Sequence, residues 1–208
     1  MQEKEIREEL ASIRGIMEKS VRFRAISGVA GILAGIYALA GGVMAHLYLY
    51  GYESDVVWTN TFAGMPGARS ILVSLASLVL LLAIVSGIIL TMVQAGRDSV
   101  SVSSLAVRQL LEAMLFPLLS GGILILILLA KGEHEMIASL CLLFYGLSLL
   151  WAGKYSISDI RWLGAAHLLL GWIAALLPAY AFILWLCGFG VLHILYGILI
   201  YRKYNRHK

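Results

Sequence analysis

The sequence predicts an all-α polytopic membrane bundle of six transmembrane helices in three hairpins, preceded by an amphipathic cytoplasmic helix. Three observations predict it. First, 61% of the 208 residues are hydrophobic and 13% charged, with a mean hydropathy of +0.88, where a soluble domain carries about 25% charged residues. Second, the charges leave long gaps: 28 residues between Arg24 and Glu53, 27 between Arg69 and Arg97, 18 between Glu112 and Lys131, 18 between Glu135 and Lys154, and 40 between Arg161 and Arg202. A spanning helix needs about 17–25 apolar residues, so four gaps hold one helix and the last, split by Pro178, holds two. Third, with the N-terminus inside, 14 of the 16 basic residues fall in inner segments and only Arg69 and Lys131 in outer ones. Lys and Arg collect in cytoplasmic loops, which predicts both termini in the cytoplasm.

Taken in order, residues 1–24 read as a cytoplasmic amphipathic helix. Ile6, Leu10, Ile13 and Met17 recur at steps of four, three and four, one stripe on a helix, and Glu3–Arg7 and Glu18–Arg22 are favourable i,i+4 pairs. Acidic and basic residues nearly balance, unlike a helix built for anionic lipid. The stripe therefore expects the chain's own bundle or the membrane interface, or else a second copy or a partner helix. No signal peptide is expected, because a charged helix stands where a short basic region and cleavage site would be. The transmembrane domain covers residues 25–201, with spans near 25–49, 70–95, 110–130, 136–153, 159–178 and 180–201, and residues 202–208 form a basic tail. Gly51, Gly64, Pro66 and Gly67 break the long outer loop. Cys141 and Cys187 fall inside spans and read as small apolar residues. The expected partners are the lipid bilayer and further copies of the chain, joined through glycine seams or the N-terminal helix, with no nucleic acid.

The last four spans read as two copies of one hairpin. Gly122 and Gly171 are followed after 24 and 26 residues by Tyr145-Gly146 and Tyr196-Gly197. Gly31 and Gly35 in the first span make a GxxxG step. Small residues let membrane helices approach closely where lipid gives no hydrophobic drive between them, so Gly31, Gly35, Gly122, Gly146, Gly171 and Gly197 are expected at helix–helix contacts. The hairpins all start inside, unlike the inverted repeats of many transporters. The run Trp162-Leu163-Gly164, Leu170-Gly171-Trp172, Leu177-Pro178 and Tyr196-Gly197-Ile198 resembles the HdeD-like bacterial acid-resistance membrane family, most clearly over residues 161–201. The segment from Phe144 to Tyr204 is also similar to uncharacterised six-helix proteins of Bacteroidetes-type bacteria. These resemblances imply a bacterial inner-membrane protein related to envelope stress and supply no catalytic residue. The charged N-terminal helix and long first outer loop depart from the HdeD-like pattern.

The chemistry open to such a chain is narrow. No Asp, Glu, Lys or Arg lies mid-span, and an ion-coupled pump needs a buried carboxylate, so a small transporter or channel is the third reading. No G-x-S-x-G, H-E-x-x-H or P-loop pattern appears, so a non-enzymatic protein is expected. Arg108 with Glu112, and Asp159 with Arg161, read as interfacial ion pairs. His167 and His193 stand 12 residues before and 14 after the turn at Ala179, at about 18–21 Å from it. Two imidazoles at one depth are candidate ligands for a haem, a metal or a small molecule, or two separately bonded histidines. His46 and His134 lie elsewhere. Tyr145, Trp151, Trp162, Trp172, Tyr180, Trp185 and Tyr196 read as an interface belt and packing, or as the lining of a small apolar pocket. If the N-terminal stripe joins two chains, Leu10→Glu shifts the detergent-solubilised oligomer toward monomer in light scattering, and an unchanged mass returns the stripe to the bundle or the lipid surface.

Overall fold

The computed structural model describes residues 27–50, 68–97 and 105–205, and every regular element among them is helical. The expected amphipathic helix with Ile6, Leu10, Ile13 and Met17, and the long outer loop, lie outside the described residues. The helices are α1 (Gly28–Tyr50), α2 (Ala68–Arg97), α3 (Leu105–Lys131), α4 (Ile137–Ala152) and α5 (Ile160–Leu176). A continuous C-terminal run follows: a 3-10 turn Pro178–Tyr180, α6 (Ala181–Trp185), a π-helical turn Leu186–Leu192, α7 (His193–Ile200) and a second π-helical turn Tyr201–Asn205. Four segments, Gly28–Tyr48, Ser70–Gly96, Val107–Lys131 and Pro178–Lys203, are long and apolar enough to cross a membrane, while α4 and α5 are apolar but shorter.

The helix ends follow from local chemistry. Gly132 has φ 81°, a left-handed conformation that costs glycine no Cβ clash. It stops α3 by directing its own N–H to Leu129 O at 3.2 Å and the N–H of Glu133 to Leu128 O at 2.9 Å, which satisfies two orphan carbonyls. Pro178 ends α5, because the residue before a proline is driven out of the helical region, and Leu177 has φ −126° and ψ 71°.

In packing order the helices form a row: α2 on α1, α1 on the C-terminal run, that run on α5, α5 on α4, and α4 on α3. The α4–α5 contact is the most extensive. The buried face of α4 carries Ser139, Leu142, Gly146, Leu149 and Ala152, and that of α5 carries Ile160, Leu163, Gly164, His167, Gly171 and Ala174, at the three- and four-residue steps of one helix face. The ends of the row meet at Ala95, Val107 and Leu110, which cluster with Ala152. Away from that cluster α2 is almost wholly exposed, from Leu78 to Val93.

Two backbone crossings hold the row. A methyl carbon on Gly197 would stand 2.6 Å from Gly28 O and from Ile32 N, and one on Gly31 would stand 3.3 Å from Gly197 Cα. Gly35 faces Gly190 O at 2.6 Å by the same measure. In the second crossing, Gly146 faces Gly164 O at 2.9 Å and Gly164 faces Gly146 O at 2.8 Å. Gly171 lies against Leu143. The expectation for Gly122 is corrected: nothing within 4 Å would meet a methyl there, and the packing glycine of α3 is its neighbour Gly121, against the Phe144 ring. One residue turns a helix position by about 100°, which moves Gly122 off the contact face.

Two ion pairs stand among the described residues, one between segments and one within α3. Lys203 Nζ donates to Asp159 Oδ2 at 2.8 Å, and Arg108 Nε to Glu112 Oε1 at 2.9 Å. Both pairs are substantially exposed and contribute little each. Asp159 therefore pairs with Lys203, where the sequence places Arg161 beside it.

The two classes of glycine respond differently to a methyl group. Gly197→Ala overpacks against backbone that cannot yield, at about 1–3 kcal/mol. At about 2–4 °C per kcal/mol for a chain of this size, the detergent melting temperature falls by at least about 2 °C. Gly122→Ala leaves it unchanged or raises it, since alanine favours helix by about 0.5–1 kcal/mol. Equal shifts for the two variants would contradict the crossing.

Candidate functional site

Three helical segments bring polar side chains together halfway along their length. His167 is near the middle of α5, Tyr145 near the middle of α4, and His193 begins α7. The two histidine rings meet edge to face, with centroids 5.1 Å apart and planes at 87°. Tyr145 lies 5.1 Å from His167 and 5.3 Å from His193. Phe189 closes the cluster at 5.3 Å and 5.8 Å from the same rings and 5.0 Å from Tyr145. Trp185 stands 5.1 Å beyond Phe189. His167 is fully buried and His193 nearly so, whereas Tyr145, Trp185 and Phe189 are half-buried.

The hydrogen bonds fix the tautomers. A backbone carbonyl only accepts, so His167 Nδ1–H donates to Leu163 O at 2.9 Å and His193 Nδ1–H to Gly188 O at 3.0 Å. A neutral imidazole with its proton on Nδ1 offers only a lone pair at Nε2. For His193 that lone pair accepts from the Tyr145 hydroxyl at 2.8 Å. For His167 no partner meets hydrogen-bond geometry, although the atom is buried and the backbone of Gly188 lies beside it.

The local backbone makes this arrangement possible. The π-helical turn Leu186–Leu192 leads the His193 backbone N–H to Gly190 O, and the His193 side chain takes Gly188 O. π-Helical turns recur at functional sites. Gly188 is needed here for space: a methyl would collide with Leu142 at 2.5 Å and stand 3.5 Å from His167 Nε2 and Cδ2. The unpartnered nitrogen thus looks toward a stretch of bare backbone.

Of the residues singled out from sequence, His167 and His193 come together. His46 is in α1 and His134 in the turn after α3, on other elements. Trp151, Trp162, Trp172 and Tyr180 do not line a common pocket, because they point outward at 47%, 79%, 57% and 59% exposure. Tyr196 packs on the Leu149, Ile160 and Leu163 cluster. Cys141 and Cys187 are free and half-buried. Sequence reasoning missed Phe189, Gly188 and the Tyr145–His193 bond. A signal existed for part of this: Trp185, Phe189 and His193 are spaced by four and share one helix face.

Haem does not fit this centre. Two imidazoles on one haem iron stand on opposite faces of the macrocycle, and here they meet edge to face with Tyr145 and Phe189 closing the sides. A metal fits little better: three of the four imidazole nitrogens are held by Leu163 O, Gly188 O and the Tyr145 hydroxyl. Among the described residues no group of three or more His, Cys, Asp or Glu is placed to hold an ion. What the centre offers is one buried acceptor walled by aromatic rings, which suits a neutral hydrogen-bond donor. No protein-family model, no curated protein and no solved structure matches the chain.

The Tyr145–His193 bond has a measurable coupling. Tyr145→Phe leaves His193 Nε2 unpaired and costs about 1–3 kcal/mol, a fall of at least about 2 °C in detergent melting temperature. The double variant Tyr145→Phe, His193→Phe loses less than the sum of the two single variants, by about 0.5–3 kcal/mol of coupling. Strict additivity would remove the bond from the account.

Proposed function

We propose that the chain is an integral protein of a bacterial cytoplasmic membrane, with six spans in three hairpins and both termini in the cytoplasm. In this reading it is not an enzyme. It binds a small neutral ligand at the centre formed by His167, His193 and Tyr145. The observation that carries the reading is the buried, unpartnered Nε2 of His167. A buried acceptor left unmade costs about 1–3 kcal/mol, and such polar groups within apolar helices mark functional sites by default.

The six-span topology is supported by the apolar helices and by the basic residues, 14 of 16 on one side. The 16 and 17 residues of α4 and α5 reach about 24–26 Å against a hydrocarbon core of about 30 Å. These two are the inner helices of the row, flanked by longer ones, and a mismatch of a few ångströms costs little. A relation to the HdeD-like proteins and to envelope stress belongs to the same proposal and rests on residues 161–201.

Two measurements test it. A reporter active only in the cytoplasm is active when fused after Lys208 and silent when inserted at Glu133. The reverse pattern, with normal expression, overturns the topology. For the centre, a panel of small neutral donors (phenol, indole, butanol) is screened by melting temperature in detergent. At least one raises it for the native chain and not for His167→Phe, and a flat panel overturns the ligand reading.

A further inference from the structure

The ring geometry narrows the ligand to one chemical class. This inference rests on the ligand reading above and deepens it. The acceptor is His167 Nε2, so the ligand must present an O–H or N–H donor. The groups around it are flat rings in mutual contact: Tyr145, Phe189 and His193 all have centroids within 5.8 Å of one another or of His167. Offset and edge-to-face contacts between rings add stabilisation beyond burial, which favours a flat aromatic ligand over an aliphatic alcohol. The spans around the centre hold no charged side chain: residues 136–153 and 162–201 have none. The ligand is therefore neutral. The centre lies midway along its helices, far from their ends, so a ligand dissolved in the bilayer reaches it by the shortest path. The half-buried rings Trp185 and Phe189, tilted at 37° with centroids 5.1 Å apart, lead to His193, and an entering head group has to displace Phe189 from its contacts with Tyr145, His167 and His193.

We propose that the His167 centre binds the hydroxylated aromatic head group of a bilayer-dissolved molecule, a quinol or a similar phenol, whose O–H donates to His167 Nε2. Tyr145 and His193, bonded to each other, then form the wall and hold His167 in place. Gly188 keeps the approach to Nε2 free of side chain.

The test uses the full chain in detergent micelles and three probes. One is decyl-hydroquinone, which carries the phenolic O–H and a lipid-like tail. The second is hydroquinone without the tail. The third is the dimethyl ether of decyl-hydroquinone, which keeps ring and tail but has no donor. Binding is read by titration calorimetry with protein-free micelles subtracted. Decyl-hydroquinone binds saturably at one site, and its ether binds at least about tenfold more weakly, the order of one buried hydrogen bond. His167→Phe, which keeps a ring and removes the nitrogen, brings the two to equal, weak affinity. Because the phenol–ether comparison is made on the native chain, the outcome stands even if that variant does not fold. Equal affinity of phenol and ether for the native chain overturns the proposal, as does absence of saturable binding by both hydroquinones. Binding of hydroquinone as tight as that of its decyl form assigns a water-borne phenol and overturns the bilayer source. If both hydroquinones fail while indole or butanol still stabilises the native chain through His167, the phenol class falls and the broader ligand reading survives.

Discussion

The structure depends on how closely two helix backbones can approach where both carry glycine. At Gly197 the next helix's carbonyl and amide lie within 2.6 Å of where a Cβ would be. At Gly146 and Gly164 the approach is mutual. Apolar helices set in lipid gain nothing from hiding apolar surface from each other, because lipid is as apolar as they are. What remains is dispersion between closely packed atoms, which falls off steeply with any gap. Glycine removes the gap. The two crossings place α1 on the C-terminal run and α4 on α5, and the other helices are arranged around these two pairs.

The polar centre is a consequence of that closeness. The α4–α5 crossing sets Tyr145 and His167 on neighbouring faces, and Gly188 lets the C-terminal run come near enough for Leu142 and His167 to lie against its backbone. The π-helical turn is the adjustment that lets His193 bond Gly188 O and still point its Nε2 at Tyr145. Each of these bonds fixes a tautomer, and together they leave one lone pair. A structural polar knot satisfies all its members, as fully connected networks do. This one stops a single nitrogen short, at Nε2 of His167.

The glycine pattern was legible in part. Gly31, Gly35, Gly146, Gly171 and Gly197 all stand in sequence where small residues recur at helical spacing, and all lie against another helix. Gly122 carried the same signal as its neighbour Gly121, and only the rotation of α3 against α4 tells them apart. The tryptophans illustrate the opposite limit. Trp172 adjoins the matched Gly171 and Trp162 stands two residues before Gly164, yet they point away from the rest of the chain at 57% and 79% exposure. Side-chain type says that a ring is amphipathic, not which side of the helix faces a neighbour.

By itself the sequence determined the helical class, the boundaries of the described helices to within a few residues and the equal depth of His167 and His193. These are one-dimensional quantities: hydropathy runs, breakers such as Pro178, and a rise of about 1.5 Å per residue along an axis. The tertiary structure alone decided which helices are neighbours, that Lys203 reaches Asp159, that Phe189 and Tyr145 close on the histidines, and that His167 Nε2 is left without a hydrogen bond. Those depend on rotation about each helix axis and on the order of packing. Rotation is set by which glycines meet backbone, and a choice between Gly121 and Gly122, about 100° apart on the helix, is made by contacts between segments far apart in the chain.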